Sequence, residues 1–191
     1  MNQDEYFSVH AGLTINVEPL GEHAVLPDDA EFLREIPPLF RVASECSELE
    51  GSAEKLLQQD SKAMNRPLLD YLAAQNHKIN LLLSFVLSQQ DDPALRHITQ
   101  TFGASQLTYL AEQPLPMESQ VRLKLFLDNP PAAVYCYARV SECQARDDQF
   151  DITLQYTRLQ EDDRDLLIRA ALHIQQKLLR QRALQRNESQ S

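Results

Sequence analysis

The sequence predicts an α+β protein, in which a small antiparallel β-barrel is joined to a long central oligomerisation helix and a C-terminal amphipathic helix. Three observations carry this prediction. Apolar residues recur every three or four positions over 39–89, every second position within 94–158, and again at helical spacing over 161–186. The first and third patterns are typical of helices with one apolar face, and the second is typical of strands that cover a core.

The composition predicts a folded, soluble and acidic protein. Hydrophobic residues make up 43% of the 191 positions, and the formal net charge is −10. Such a charge repels the phosphates of nucleic acids and anionic lipids, so bulk binding to either is not expected. The sequence has three cysteines without C-x-x-C spacing, no signal-like N-terminus and no apolar run of the ~20 residues that span a bilayer. We therefore expect a cytoplasmic protein with free thiols and no membrane insertion.

The chain divides into four predicted segments. Residues 1–38 hold a strand at 6–17 and a short helix at 30–36, which Asp28 or Asp29 caps and Pro37-Pro38 ends. Residues 39–90 form the long helical segment, 94–186 the barrel with its final helix, and 187–191 a disordered tail.

The long helical segment carries two apolar seams. The second repeats as +4, +3, +4, +3, +4 and includes Gln75, which is the 3.5-residue period of a coiled coil. The step from Asp60 to Leu68 is eight residues rather than seven and contains Pro67, so the helix is expected to kink or break there. The residues predicted to drive oligomerisation are Val42, Leu49 and Leu56 of the first seam, and Leu68, Leu72, Ile79, Leu82 and Val86 of the second.

Sister copies of the chain are the simplest cover for this helix. The run INLLLSFVL at 79–87 is apolar on nearly every face, which is typical of an enclosed helix. A helix of about 50 residues is ~75 Å long, more than a single small barrel encloses. The alternative is that the seams pack only within their own chain.

The region after Pro93 reads as five strands joined by polar turns. Two short strands lie around 98–102 and 106–111, and longer alternating ones are SQVRLKLFLD, VYCYARVSEC and QFDITLQYT. Short antiparallel strands at such spacing are typical of a small barrel or sandwich. Cys136 and Cys143 lie seven residues apart in one strand, so we expect them on opposite faces with one in the core.

No constellation of catalytic residues is present. The sequence contains no G-x-S-x-G, P-loop or G-x-G-x-x-G motif and only four glycines. Its five histidines lack metal-ligand spacing with one another or with the cysteines. We therefore expect no enzymatic activity, no bound metal and no cofactor.

The strand region and final helix resemble the PilZ domain of cyclic di-GMP signalling. The resemblance lies in the length, order and apolar pattern of TFGASQLTYL, VRLKLFL, AVYCYARVSEC and FDITLQYTRLQEDDRDLLIRAALHIQQKL. With LLDYLAAQNHKINLLLSFVLSQQDDPALR before them, they resemble the atypical PilZ group whose helices drive tetramer formation. The resemblance covers residues 1–186 and implies a homo-oligomer, a tetramer by analogy with that group.

The nucleotide motif of that family is degenerate in this chain. It combines R-x-x-x-R before the barrel with [DN]-x-S-x-x-G on the strands. Ser105 takes the Ser place, but Gly103 stands for the Asp or Asn and Thr108 for the Gly. Upstream, Arg96 is the sole pre-barrel arginine and Gln100 follows it four residues on. Each missing charged hydrogen-bonding partner costs roughly 1.5–3 kcal/mol, or about ten- to a hundredfold in affinity.

Three functional hypotheses follow from these observations. The main one is a non-enzymatic oligomeric adaptor of the cyclic di-GMP pathway that binds an unidentified protein partner. The second is a receptor that still binds cyclic di-GMP through Arg96, Ser105 and the basic C-terminal helix. The third is a coiled-coil structural protein with an unrelated β-barrel.

Overall fold

The computed structural model describes residues 8–21, 24–59 and 66–188. Seven strands and four helices occur within these ranges. The N-terminal half holds β1 (Ser8–His10), β2 (Thr14–Pro19), α1 (Asp29–Glu35), α2 (Pro38–Gln59) and α3 (Arg66–Ser88). The C-terminal half holds β3 (Arg96–Gly103), β4 (Gln106–Ala111), β5 (Gln120–Asp128), β6 (Pro131–Arg146), β7 (Gln149–Arg158) and α4 (Glu161–Glu188).

Six strands close into an antiparallel barrel, which confirms the predicted α+β fold. The strand order is β3-β2-β5-β6-β7-β4, and β4 pairs back onto β3 to complete the circle. The five strands predicted after Pro93 are all present. Side chains that alternate along the strands fill the interior, among them Ile15, Phe102, Leu107, Leu123, Leu125, Val134, Ile152 and Leu154.

The N-terminal strand is broken where the sequence predicts a continuous one. β1 and β2 both pair with β3, but the register shifts by one residue between His10↔Thr101 and Thr14↔Ile98. The Thr99 hydroxyl fills the gap, since it accepts from the Leu13 amide at 2.8 Å and donates to the Ala11 carbonyl at 2.7 Å. The extra residue is thus a bulge held by a side chain from another strand.

Helix α4 packs across one end of the barrel. Leu166, Leu167, Ala170 and Ala171 join the barrel core, and Arg164 Nη1 donates to the Ala104 carbonyl at 2.7 Å beyond the end of β3. The helix continues to Glu188, two residues past the predicted boundary at 186, and the remainder of the predicted tail, 189–191, lies outside the described residues.

A second, smaller core lies on the outside of the barrel and holds the N-terminal helices. Phe32, Ile36, Phe40 and Leu87 pack with residues of β5 and β6, and the Phe40 and Phe126 rings lie 5.9 Å apart. Asp28 caps α1 through a reciprocal capping box with Glu31, as the sequence predicts for one of the two aspartates.

The long helical segment is described as two helices. α2 ends at Gln59, α3 begins at Arg66, and residues 60–65 between them lie outside the described part of the chain. Pro67 is the second residue of α3. Proline is tolerated there because the first helical amides have no intrahelical acceptor.

Cys136 and Cys143 both contact the barrel core, contrary to the prediction that they face opposite sides. Cys136 is fully buried and Cys143 is half-buried against the same core. A register shift between Val140 and Glu142 inserts one residue in β6. The alternation therefore changes phase, and Cys143 turns back towards the interior.

Candidate functional site

Helix α3 presents an apolar face to solvent. Four of its five predicted oligomerisation residues are exposed, namely Leu68, Leu72, Ile79 and Leu82, at 49%, 41%, 47% and 67%. The fifth, Val86, is half-buried beside Leu87, which anchors the end of the helix in the smaller core. The apolar face is therefore not packed within its own chain over the described residues.

Two aromatic residues that were not among the predicted seam positions widen this face. Tyr71 and Phe85 are 60% and 66% exposed and stand two heptads apart, each directly before a seam position. An apolar stripe that includes one flanking position is typical of helices in a bundle, whereas two-stranded coils use a narrower seam. Their shared heptad position beside the seam was the available signal, although Lys78 occupies that position midway between them.

The first seam is less completely described. Val42 and Leu49 on α2 are exposed, at 48% and 71%. The side chain of Leu56 lies outside the described residues. α2 is fixed at its start, where Phe40 and Ala43 are buried in the smaller core and Ser44 Oγ donates to Asp163 Oδ1 at 3.3 Å.

A buried asparagine ties the segment after α3 to the barrel. Asn16 on β2 is 2% exposed, and its amide nitrogen donates to Asp91 Oδ1 at 2.8 Å and to the Asp92 carbonyl at 3.1 Å. Its oxygen accepts from the Asp92 amide at 2.8 Å. The three bonds fix the exit of α3 relative to the sheet, because a buried amide with all these partners has one orientation.

The Glu35 carboxylate fixes the end of α1 against the barrel. The Tyr135 hydroxyl donates to Glu35 Oε2 at 3.0 Å, and the Tyr137 hydroxyl donates to the same oxygen. Burial, followed by the hydrogen bonds to Glu35 and Tyr135, raises the pKa of Tyr137 above its ordinary value. Both phenols therefore stay protonated as donors at neutral pH and hold α1 against β6.

The structure does not bring Arg96 and Ser105 together. Arg96 begins β3 and Ser105 follows its end, so about eight residues of strand, ~26 Å at ~3.3 Å per residue, separate them. Arg96 Nε donates to Asp91 Oδ2 at 2.7 Å. Ser105 is half-buried, and its carbonyl accepts from the Tyr156 amide at 2.9 Å.

Arg164 is the cation that the fold places near Ser105. It opens α4, and its bond to the Ala104 carbonyl sets it beside the β3–β4 turn. The sequence offers no local signal for this approach, because 60 residues separate the two groups. The same guanidinium also forms an ion pair, in which Arg164 Nε lies 3.5 Å from Glu161 Oε1.

The described ranges also bear on metal binding and on membrane insertion. No three His, Cys, Asp or Glu side chains there are grouped so that they would hold a metal ion. Within the same ranges, no helix combines the length and the apolar character needed to cross a bilayer.

Comparisons with known proteins show what this arrangement resembles. No protein-family model and no curated protein matches the sequence. A solved structure from Xanthomonas campestris, described as a tetrameric PilZ domain self-assembled via a helical bundle, matches with a TM-score of 0.56 at 14% identity over 90% of this chain and 89% of that one. The Bacillus subtilis inhibitor of motility MotI/DgrA matches with a TM-score of 0.49 at 10% identity over 93% of this chain. This chain spans about half, 53%, of that protein.

The fold of the Xanthomonas protein extends over nearly the whole of this chain, including helices outside the barrel. The barrel therefore has a PilZ-like fold, and the different fold that the third hypothesis expects is not found. The closed six-stranded barrel, the flanking helices and this likeness together show that the chain is built around a PilZ-like domain.

Proposed function

We propose that this chain is a non-enzymatic adaptor of the cyclic di-GMP pathway that self-associates through α2 and α3 and presents its barrel to a protein partner. The observation that carries the proposal is the exposed α3 face. Exposed apolar surface of this extent is unusual for a monomer and marks an interaction site. Its seven-residue repeat suits a second copy of the same helix, because identical heptads supply matching knobs and holes.

The Xanthomonas protein supports the same proposal by analogy. It is described as self-assembled via a helical bundle, and its likeness covers 90% of this chain. A tetramer is therefore the state that we propose. The width of the α3 face, with Tyr71 and Phe85 beside the seam, also favours more than two helices.

The nucleotide position supports an adaptor more than a receptor. A guanine and phosphate clamp needs its arginine and its serine at one site. Here Arg96 is paired with Asp91, and Ser105 lies at the other end of β3. We therefore propose that tight cyclic di-GMP binding at the usual place is lost.

Self-association is tested by replacing one apolar side chain in the seam. Leu82→Asp places a charge where helices meet, so we expect the particle mass from light scattering to fall to that of a monomer. Ser84→Asp is the matched control, since Ser84 is exposed on the side of the same helix opposite the seam and receives the same carboxylate. It should leave the mass unchanged. A monomeric wild-type chain, or equal masses for both variants and the wild type, would refute the proposal.

Nucleotide binding is tested separately by calorimetry with cyclic di-GMP. We expect no heat of binding at micromolar nucleotide. Micromolar affinity that disappears in Arg96→Ala would contradict the adaptor proposal and favour the receptor. Light scattering tests self-association and calorimetry tests nucleotide binding, so either half of the proposal can be refuted without the other.

A further inference from the structure

The two ends of the barrel differ. Helix α4 covers the end at which β3 finishes, through Leu166, Leu167, Ala170 and Ala171. The end at which β3 begins instead opens into a cleft of about 580 Å³. Clefts of ~300–1,000 Å³ at the mouths of β-barrels are common places for small ligands.

The floor of the cleft belongs to the barrel core. Val17, Tyr109 and Ala111 are buried core residues, Leu115 packs against them, and all four line the cleft. The His97 ring lies over this floor, 4.8 Å from the Tyr109 ring centroid and tilted by 58°. An aromatic pair with one half-buried member offers a ring surface to a planar guest.

The His97 imidazole is the candidate hydrogen-bond acceptor among the side chains that line the cleft. Burial lowers the pKa of His97, an effect that outweighs its hydrogen bond to the Leu110 backbone and the charge of Glu112. The imidazole is therefore neutral at pH 7. A neutral imidazole that donates one N–H to a carbonyl has its other nitrogen free to accept.

The rim of the cleft does not favour anions. Its one arginine, Arg96, is paired with Asp91 at 2.7 Å, and the Asp91 side chain is largely buried, with 13% exposed. Glu112 adds a negative charge, and Gln113 and Gln149 contribute neutral amides. A dianionic nucleotide would thus meet a neutralised cation and a carboxylate.

We propose that the open end of the barrel binds a small uncharged heteroaromatic compound that carries an N–H donor, with His97 as the acceptor and Leu115 beside the ring. This site is separate from the assembly face on α3. It also differs in ligand chemistry from the cyclic dinucleotide position, because it selects a neutral ring rather than phosphates.

The test uses matched probes on the full-length, assembled chain. Indole carries the N–H donor, benzothiophene is a ring of the same shape without it, and indole-3-carboxylate adds a negative charge. We expect saturable NMR shifts with indole at His97, Leu110 and Gln149, and at least tenfold weaker binding of the other two probes. Absence of saturable shifts with indole, or equal binding of benzothiophene, would overturn the proposal.

A pair of histidine variants locates the acceptor. His97→Phe keeps a ring on Tyr109 but removes the nitrogen, so indole should bind no better than benzothiophene. His10→Phe is the matched control at an exposed residue of β1, near the α4 end of the barrel, and should retain the preference for indole. Retention of the preference in His97→Phe would refute the role of His97, and the wild-type probe series decides the proposal even where that variant does not fold.

Discussion

Two apolar segments of this chain end in opposite environments. In VRLKLFL on β5, Val121, Leu123 and Leu125 are fully buried in the barrel. In INLLLSFVL on α3, Ile79, Leu82 and Phe85 are 47–67% exposed. The two segments are similarly apolar, so the difference lies in the neighbours that one chain provides. The strands of the barrel pair with one another around a closed interior, whereas the rest of the chain covers only one face of α3.

The comparison separates the free energy of folding from that of assembly. A fully buried aliphatic side chain stabilises by roughly 1.5–3 kcal/mol relative to an exposed one. In the barrel this gain belongs to the folded monomer. On α3 the same gain is available only when another surface covers the helix, so it should depend on protein concentration.

The largest effect is expected from truncating the barrel core. Leu123→Ala should lower the free energy of unfolding by about 2–5 kcal/mol, because it leaves a cavity in a closed interior. Leu82→Ala, the same change on α3, should alter it by less than about 0.5 kcal/mol under dilute conditions where the chain is monomeric. Urea unfolding at two protein concentrations measures both. Equal losses at high dilution would mean that the α3 face is packed within its own chain.

A smaller loss is expected at the junction between the two regions. Asn16→Ala removes three partly buried hydrogen bonds to Asp91 and Asp92, which costs about 1–3 kcal/mol in total. Asn76→Ala, at an exposed site on α3, is the control and should be neutral. The midpoint of urea unfolding reports the difference. Coincident midpoints for the two variants would show that the junction contributes nothing to stability.

The smallest effect concerns the phenols beneath α1 and appears at alkaline pH. Burial raises the pKa of Tyr135 and Tyr137 above about 10, the value in unfolded chains. Above that pH the unfolded state releases protons that the folded state keeps, so stability is complete below pH ~10 and falls as the pH rises further.

Tyr137→Phe isolates one of these phenols. It should cost about 0.5–1.5 kcal/mol at pH 8 through the lost bond to Glu35 and should flatten the alkaline decline measured by urea unfolding. Tyr71→Phe, on the exposed α3 face, should change neither. A decline in Tyr137→Phe as steep as in the wild type would exclude Tyr137 as a contributor.

Local patterns predicted the elements well, because each depends on nearby residues. The period of two located all five strands after Pro93, and Asp28 marked the start of α1 through its bond to the Glu31 amide three residues on. The exposed α3 seam likewise follows from heptad spacing alone. Tyr71 and Phe85 share the heptad position before the seam, but Lys78 fills that position between them and interrupts the pattern.

Features set by distant residues escaped prediction. The break between β1 and β2 depends on Thr99, 86 residues from Leu13, and the position of Cys143 depends on an inserted residue in β6. Arg96 and Ser105 fit a family motif by order along the chain, yet a whole strand separates them in space. The cleft at His97 arises where the ends of β2, β3 and β4 meet, which no local pattern shows.

The hydrogen bonds of Asn16 to the segment after α3 have a consequence for avidity. Since Asn16 holds Asp91 and Asp92 firmly to β2, a barrel cannot swing freely on its helix. Copies joined by their helices would then hold their barrels at fixed separations, and a target with repeated weak epitopes would gain about 10²–10⁴-fold in binding when its spacing matches. A target with the wrong spacing would gain nothing, so the rigid exit makes the geometry of the target part of its recognition.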